Sequence, residues 1–140
     1  MVELALALPM IAFLLLGGAD MARAFAVQLA VQNGARAGAE SSALDVTPST
    51  TEATARVQDE IGRTPGLVPA NAIVTATYTL ADGTTVCTGA PNTATAGTST
   101  VTIPCYANVR VQYTHSTLIH WPGLQQSFIF DRTTRVRRYQ

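Results

Sequence analysis

The sequence contains no lysine, so all nine of its cationic side chains are arginines. Charged residues make up only 13% of the chain, and nine acids balance the nine cations to a formal net charge of zero. Bulk electrostatics therefore give no reason to expect a nucleic-acid partner. Histidine occurs only at His115 and His120. That spacing sets the two on opposite faces of a strand, and no carboxylate stands close by in sequence, which argues against a metal centre. There is no nucleophile elbow, phosphate-binding loop or pair of catalytic carboxylates, and nothing suggests an enzyme or a cofactor. No Asn-x-Ser/Thr glycosylation acceptor is present. With 47% of residues hydrophobic, wholesale disorder is also excluded, and 140 residues allow one compact domain or a small domain plus one long helix.

The apolar residues concentrate at the start of the chain. Leu4 to Ala19 reads LALALPMIAFLLLGGA, bounded by Glu3 and Asp20. At 1.5 Å per residue this run is about 24 Å long, somewhat short of a bilayer core of about 30 Å. Glu3 stands where a secretory signal peptide would carry a basic residue, which argues against that reading. Helix formers continue past Asp20 without another proline, and Gln28, Gln32, Arg36 and Glu40 recur every four residues as a polar stripe. Arg36 and Glu40 can pair at i, i+4. Residues 2 to about 44 are thus expected to form one helix of roughly 65 Å, kinked at Pro9 and softened at Gly17-Gly18. Its upper half is rich in Ala and Gly, a composition that lets helices approach closely, either as a stalk or as a bundle of copies. Asp20 and Arg23 can pair along the helix at i, i+3 or bridge neighbouring copies.

The remainder reads as a small α+β head. Ser49 and Glu52 have capping-box spacing, with Thr47 before Pro48 a rival cap, ahead of Ala53, Val57 and Ile61, which share one face of a short helix over about 49–62 that stops at Gly62 and Pro65. Val74, Ala76, Tyr78 and Leu80 alternate with threonines, Asp82-Gly83 offers a hairpin turn, and residues 84–88 are expected to return. Residues 89–99 read as a loop, followed by a short strand at Val101 and Ile103. Ala107, Val109, Val111 and Tyr113 alternate with polar residues, and a last strand follows a turn at Trp121-Pro122-Gly123, from Ser127 to Tyr139. The expectation is an antiparallel sheet of roughly four strands with the short helix on its apolar face. Cys87 and Cys105, an even pair in a Thr-rich, Lys-free domain, suggest one disulfide and an oxidising compartment; a metal or catalytic thiol is the rival. Residues 1–100 carry four Arg against eight acids and residues 101–140 carry five Arg against one Asp. Such a chain can attract copies of itself. Arg132, Arg135, Arg137 and Arg138 are either a charge-guarded edge strand or a contact for an anionic surface.

The stretch VELALALPMIAFLLLGGADMARAFAVQLAVQNGARAGA resembles the TadE-like pilins and pseudopilins of the Tad (type IVc) pilus system. The resemblance rests on order and spacing: Glu3 before the apolar run, Pro9 within it, the Gly pair, Asp20 and Arg23 three apart, Phe25, and the small-residue tail from Gln32 to Ala39. It implies a kinked pilin-like helix over 1–45 as membrane anchor and filament core, with Phe13, Leu16 and Phe25 buried between subunits, and an extracellular head over 46–140. It also implies processing by a prepilin peptidase, storage in the bacterial inner membrane, assembly by the Tad secretion machinery, and homopolymerisation into an adhesive or secretory filament. Glu3 would match the pilin acid that meets a neighbour's N-terminal amine. The family's basic leader and pre-cleavage glycine are missing, so a mature or late-started form is expected. The competing expectation is a single-pass anchored β-rich binding module that does not polymerise.

Overall fold

The structure is a computed structural model, and it describes residues 2–44, 49–87, 92–96, 99–117 and 125–138. It is an α+β arrangement in the order α1 (Val2–Leu44), α2 (Thr50–Gly62), a single 3-10 turn (Pro69–Asn71), β1 (Ile73–Leu80), β2 (Asn92–Ala96), β3 (Ser99–Ile103), β4 (Cys105–Ser116) and β5 (Ser127–Arg137). As expected, residues 2–44 form one helix, with Pro9 and the glycine pair inside it.

Ser49 caps α2, its hydroxyl accepting from the Glu52 amide at 3.3 Å, so one of the orphan donors of the first turn is satisfied. Ala53, Val57 and Ile61 form the buried face, as their spacing requires. Full burial of Val57 or Ile61 contributes about 1.5–3 kcal/mol each.

The main sheet has three antiparallel strands in the order β1-β4-β5, while β2 and β3 form a separate two-stranded ribbon. This corrects the expectation of a single sheet of roughly four strands with a loop over 89–99. The stretch 89–99 contains a strand, and the short strand before Pro104 pairs with it instead of joining the main sheet. The expected return after the hairpin turn is made beside β1, with the Leu80 amide donating to the Thr85 carbonyl at 2.8 Å and the Cys87 amide to the Tyr78 carbonyl at 2.9 Å; residue 88 lies outside the described residues. The chain turns over Asp82-Gly83, with Gly83 at φ +78, a conformation that favours glycine. It then makes one bridge, Thr79 to Val86, before Cys87 is drawn inward to its partner. The Cys87–Cys105 disulfide forms as expected, its Cα atoms 6.1 Å apart. It ties that return to the start of β4, where Tyr78 and Ala107 join the two cysteines in a small second core.

Along β4, burial alternates from Cys105 to His115. Val109, Val111 and Tyr113 point into the main core with Ala53, Val57 and Ile61 of α2. The cover of this face is shared. Val27, Val31, Ala35 and Ala39 of α1 are fully or nearly fully buried in the same core, so α1 and α2 together roof the sheet. The small residues of the upper helix half serve this packing. At Gly38 an added Cβ would lie 2.7 Å from Val57 Cγ2 and 3.2 Å from Val109 Cγ1, so only glycine permits the observed approach. Buried Ser42 fits because its hydroxyl donates to the Gly38 carbonyl at 2.8 Å. The polar stripe faces outward, and Arg36 donates to Glu40 at 2.7 Å as its spacing predicts.

A candidate anchoring and assembly surface

The two halves of α1 have different fates because their sequences differ. From Val27 onward a valine, alanine or glycine recurs at i, i+3, i+4 and i+7, and this stripe enters the core. Before Asp20 the helix is apolar on every side, which no single packing partner can cover. The large apolar side chains described in that half are accordingly exposed: Leu14 is 76% and Leu16 52% accessible, and Leu6, Met10, Ile11 and Phe13 are also exposed. The Leu6–Leu44 stretch is long and apolar enough to cross a membrane.

The sequence-expected assembly residues divide accordingly. Pro9, Phe13 and Leu16 lie on the protruding half, and Arg23 and Phe25 are exposed on the next turns. Asp20 is different: only 8% exposed, it is turned beneath the head. The side chain of Glu3 lies outside the described residues.

Burial of Asp20 follows from a meeting that sequence spacing does not show. His115, at the inward-facing end of β4, is 5% exposed and comes up against α1 beside Asp20 and Arg23. Burial, the nearby Arg23 charge second, pushes the His115 pKa below its ordinary value, while the Asp20 carboxylate opposes them. Next to it lies a cavity of about 370 Å³, bounded by Gly17, Asp20, Met21, Ala24, His115 and Phe128. A neighbouring groove adds Phe25, Gln28 and Phe130, so an apolar seam runs between α1 and the start of β5. No signal in the chain could have paired positions some hundred residues apart; only the alternation of Phe128 and Phe130 hinted that one face of β5 is apolar. His120 lies outside the described residues, and among the described residues no three His, Cys, Asp or Glu side chains converge on a common point.

The four C-terminal arginines do not form one patch. β5 is an edge strand, as the charge-guard reading expects. Arg135 lies with its guanidinium 4.1 Å over the Tyr106 ring and donates to the carbonyls of Leu80 and Ala81 at 2.8 and 3.1 Å, binding the sheet across its outer face. Arg138 is buried, with its guanidinium 5.6 Å over the Tyr78 ring. Arg132 and Arg137 are exposed, but their odd spacing sets them on opposite faces of the strand. Further along the outer face, Arg110 pairs with Asp131 and holds its carboxyl below the usual carboxylate range.

With this geometry in place, comparison with known proteins singles out the protruding helix. Residues 1–40 match the TadE-like protein family. The match ends inside α1, so the TadE-like segment is the protruding half plus most of the turns that roof the sheet. The head after α1 lies outside the match. No curated protein and no solved structure matches the chain.

Proposed function

We propose that this chain is a structural subunit of a Tad-type pilus filament, anchored in the bacterial inner membrane by α1 before assembly and built into an extracellular polymer through the same helix. The observation that carries the reading is the protruding half of α1: it is apolar on every side, exposed in the single chain, and part of the TadE-like segment. An all-round apolar helix is stable in lipid or in a bundle of like helices, and unstable in water. Transfer from the first environment to the second exposes no apolar surface, so extraction into a filament is energetically feasible. In this reading residues 1–45 form the anchor and filament core, with Phe13, Leu16 and Phe25 in contacts between subunits, and residues 46–140 coat it. Glu3 would meet a cation of a neighbouring subunit, its N-terminal amine being the nearest. Prepilin peptidase and the Tad secretion machinery would process and assemble the chain, and the polymer would serve adhesion, surface attachment or secretion. No residue is assigned a catalytic, cofactor or metal role.

The upper half of α1 does not by itself favour polymerisation, because its small residues pack within the chain. A single-pass anchored display protein is therefore the second reading, and Leu16→Asp separates the two. Negative-stain microscopy of material sheared from expressing cells should show filaments for the parent chain and none for Leu16→Asp, while the variant's head keeps its disulfide and fold. Unchanged filaments from the variant would sink the reading.

A further inference from the structure

The apolar surface does not stop where the uncharged run of α1 stops. Beyond Asp20, Met21 is 61% and Phe25 64% exposed, and across the seam at the start of β5 Phe128 is 43% and Ile129 68% exposed. Phe128 faces α1 and Ile129 faces the other side of the sheet, so apolar surface wraps around the strand end. All four lie at the end of the head from which the protruding helix leaves.

Length explains why such a surface belongs there. The uncharged run Leu4–Ala19 spans about 24 Å, whereas the hydrocarbon core needs about 30 Å. An upright helix thus falls short by about 6 Å, roughly the rise of one further turn, which is Asp20 to Arg23. A carboxylate drawn into that layer is unfavourable unless it is shielded. Asp20 is shielded: it is 8% exposed beneath the head, beside His115. Arg23 is exposed and can extend to lipid phosphates. Phe25, about 9 Å above Ala19, then lies about 3 Å above the hydrocarbon edge once the head has been drawn down by about 6 Å, within a headgroup layer of about 5–8 Å.

We propose that, while the chain is anchored, the underside of the head is a lipid-docking surface: Met21 and Phe25 of α1 together with Phe128 and Ile129 of β5 sit at the boundary between hydrocarbon and headgroups of the bilayer that α1 crosses. The surface is continuous with the membrane-spanning face, carries a cation at phosphate height, and covers the one acid that the short span would otherwise bring into lipid. Docking fixes the depth and tilt of the head before assembly. The proposal rests on the membrane-anchor reading of α1.

The test uses the full chain reconstituted in lipid nanodiscs, with single tryptophans in a Trp121→Phe background and phospholipids brominated near the headgroup or near the chain ends. Leu14→Trp reports on the span, Phe128→Trp and Ile129→Trp on the underside, and Thr84→Trp on the hairpin at the opposite end of the head. Two underside positions are used so that a disturbance of β5 at one of them leaves the other readable. The expected result is loss of most Phe128→Trp and Ile129→Trp emission to the headgroup-proximal bromines, quenching of Leu14→Trp by the deep ones, and no loss for Thr84→Trp. Quenching of Leu14→Trp with both underside reporters unaffected would overturn the docking surface and leave the anchor intact. An unquenched Leu14→Trp would overturn the anchor reading, and the proposal with it.

Discussion

Gly38→Ala gives the sharpest test of what the small residues of α1 are for. Inside a helix, alanine is ordinarily favoured over glycine by about 1 kcal/mol. Here the new methyl would sit 2.7 Å from Val57 Cγ2, 3.2 Å from Val109 Cγ1 and 3.3 Å from the Ala53 carbonyl oxygen. Val57 and Val109 are fully buried, and their β-branched side chains have few alternative rotamers, so α1 must lift away from the core. Overpacking of this kind costs about 1–3 kcal/mol, which outweighs the propensity gain and leaves a net destabilisation of up to about 2 kcal/mol. For a head of this size each kcal/mol lowers the melting temperature by about 4–8 °C. Thermal unfolding of the full chain in detergent micelles, followed by near-UV circular dichroism of the buried Tyr78 and Tyr113, reads this directly. Gly38→Ala combined with Val57→Ala should show a favourable coupling of about 0.5–3 kcal/mol, because the truncated side chain vacates the clashing space. Gly18→Ala is the control, since nothing lies within 4 Å of its added methyl. A Gly38→Ala chain as stable as the parent, or more stable, that nevertheless fails to form filaments would refute the argument and return these residues to contacts between subunits.

The remaining expectations concern the disulfide and the buried histidine. Replacing Cys87 and Cys105 together by alanine should destabilise the head by about 3 kcal/mol through lost loop closure over a separation of 18 residues, measured by denaturant unfolding with and without reductant; an unchanged midpoint would contradict a stabilising role for the bridge. His115 has a folded pKa below its ordinary value, so above about pH 6.5 it is neutral in both states and contributes no pH dependence. As pH falls below that value the unfolded chain takes up a proton that the folded chain resists, and stability falls until the folded pKa is reached. Melting temperatures measured between neutral pH and pH 5 should therefore decline for the parent and decline less for His115→Gln; parallel curves would show that His115 is not the responsible group.

The periodic features were legible from the chain. The continuous helix, the capped face of Ala53, Val57 and Ile61, the alternation along β4 and the cysteine pair all depend on neighbours within a few residues or on a count. What escaped was tertiary. The stripe of Val27, Val31, Ala35 and Ala39 reads equally well as a face for another chain or for this chain's own sheet, because small residues specify closeness and not the partner. The meeting of Asp20 with His115 and the separation of the four arginines depend on the register of β4 against β5 and on where α1 crosses the sheet. The division of the strands into a sheet and a ribbon turned on the 89–99 segment, whose Gly, Pro and Thr suit a loop as well as a strand.

The central claim is that the protruding half of α1 meets copies of itself. A photo-cross-linking amino acid in place of Phe13, with the same group at Thr84 as control, tests it most directly in sheared extracellular material. The account predicts that irradiation converts the Phe13 chain into a ladder of covalent multimers joined through α1, mapped by peptide mass, while the Thr84 control yields no adducts to α1. Phe13 adducts confined to lipid or to the same chain, with no multimers from any preparation, would contradict it.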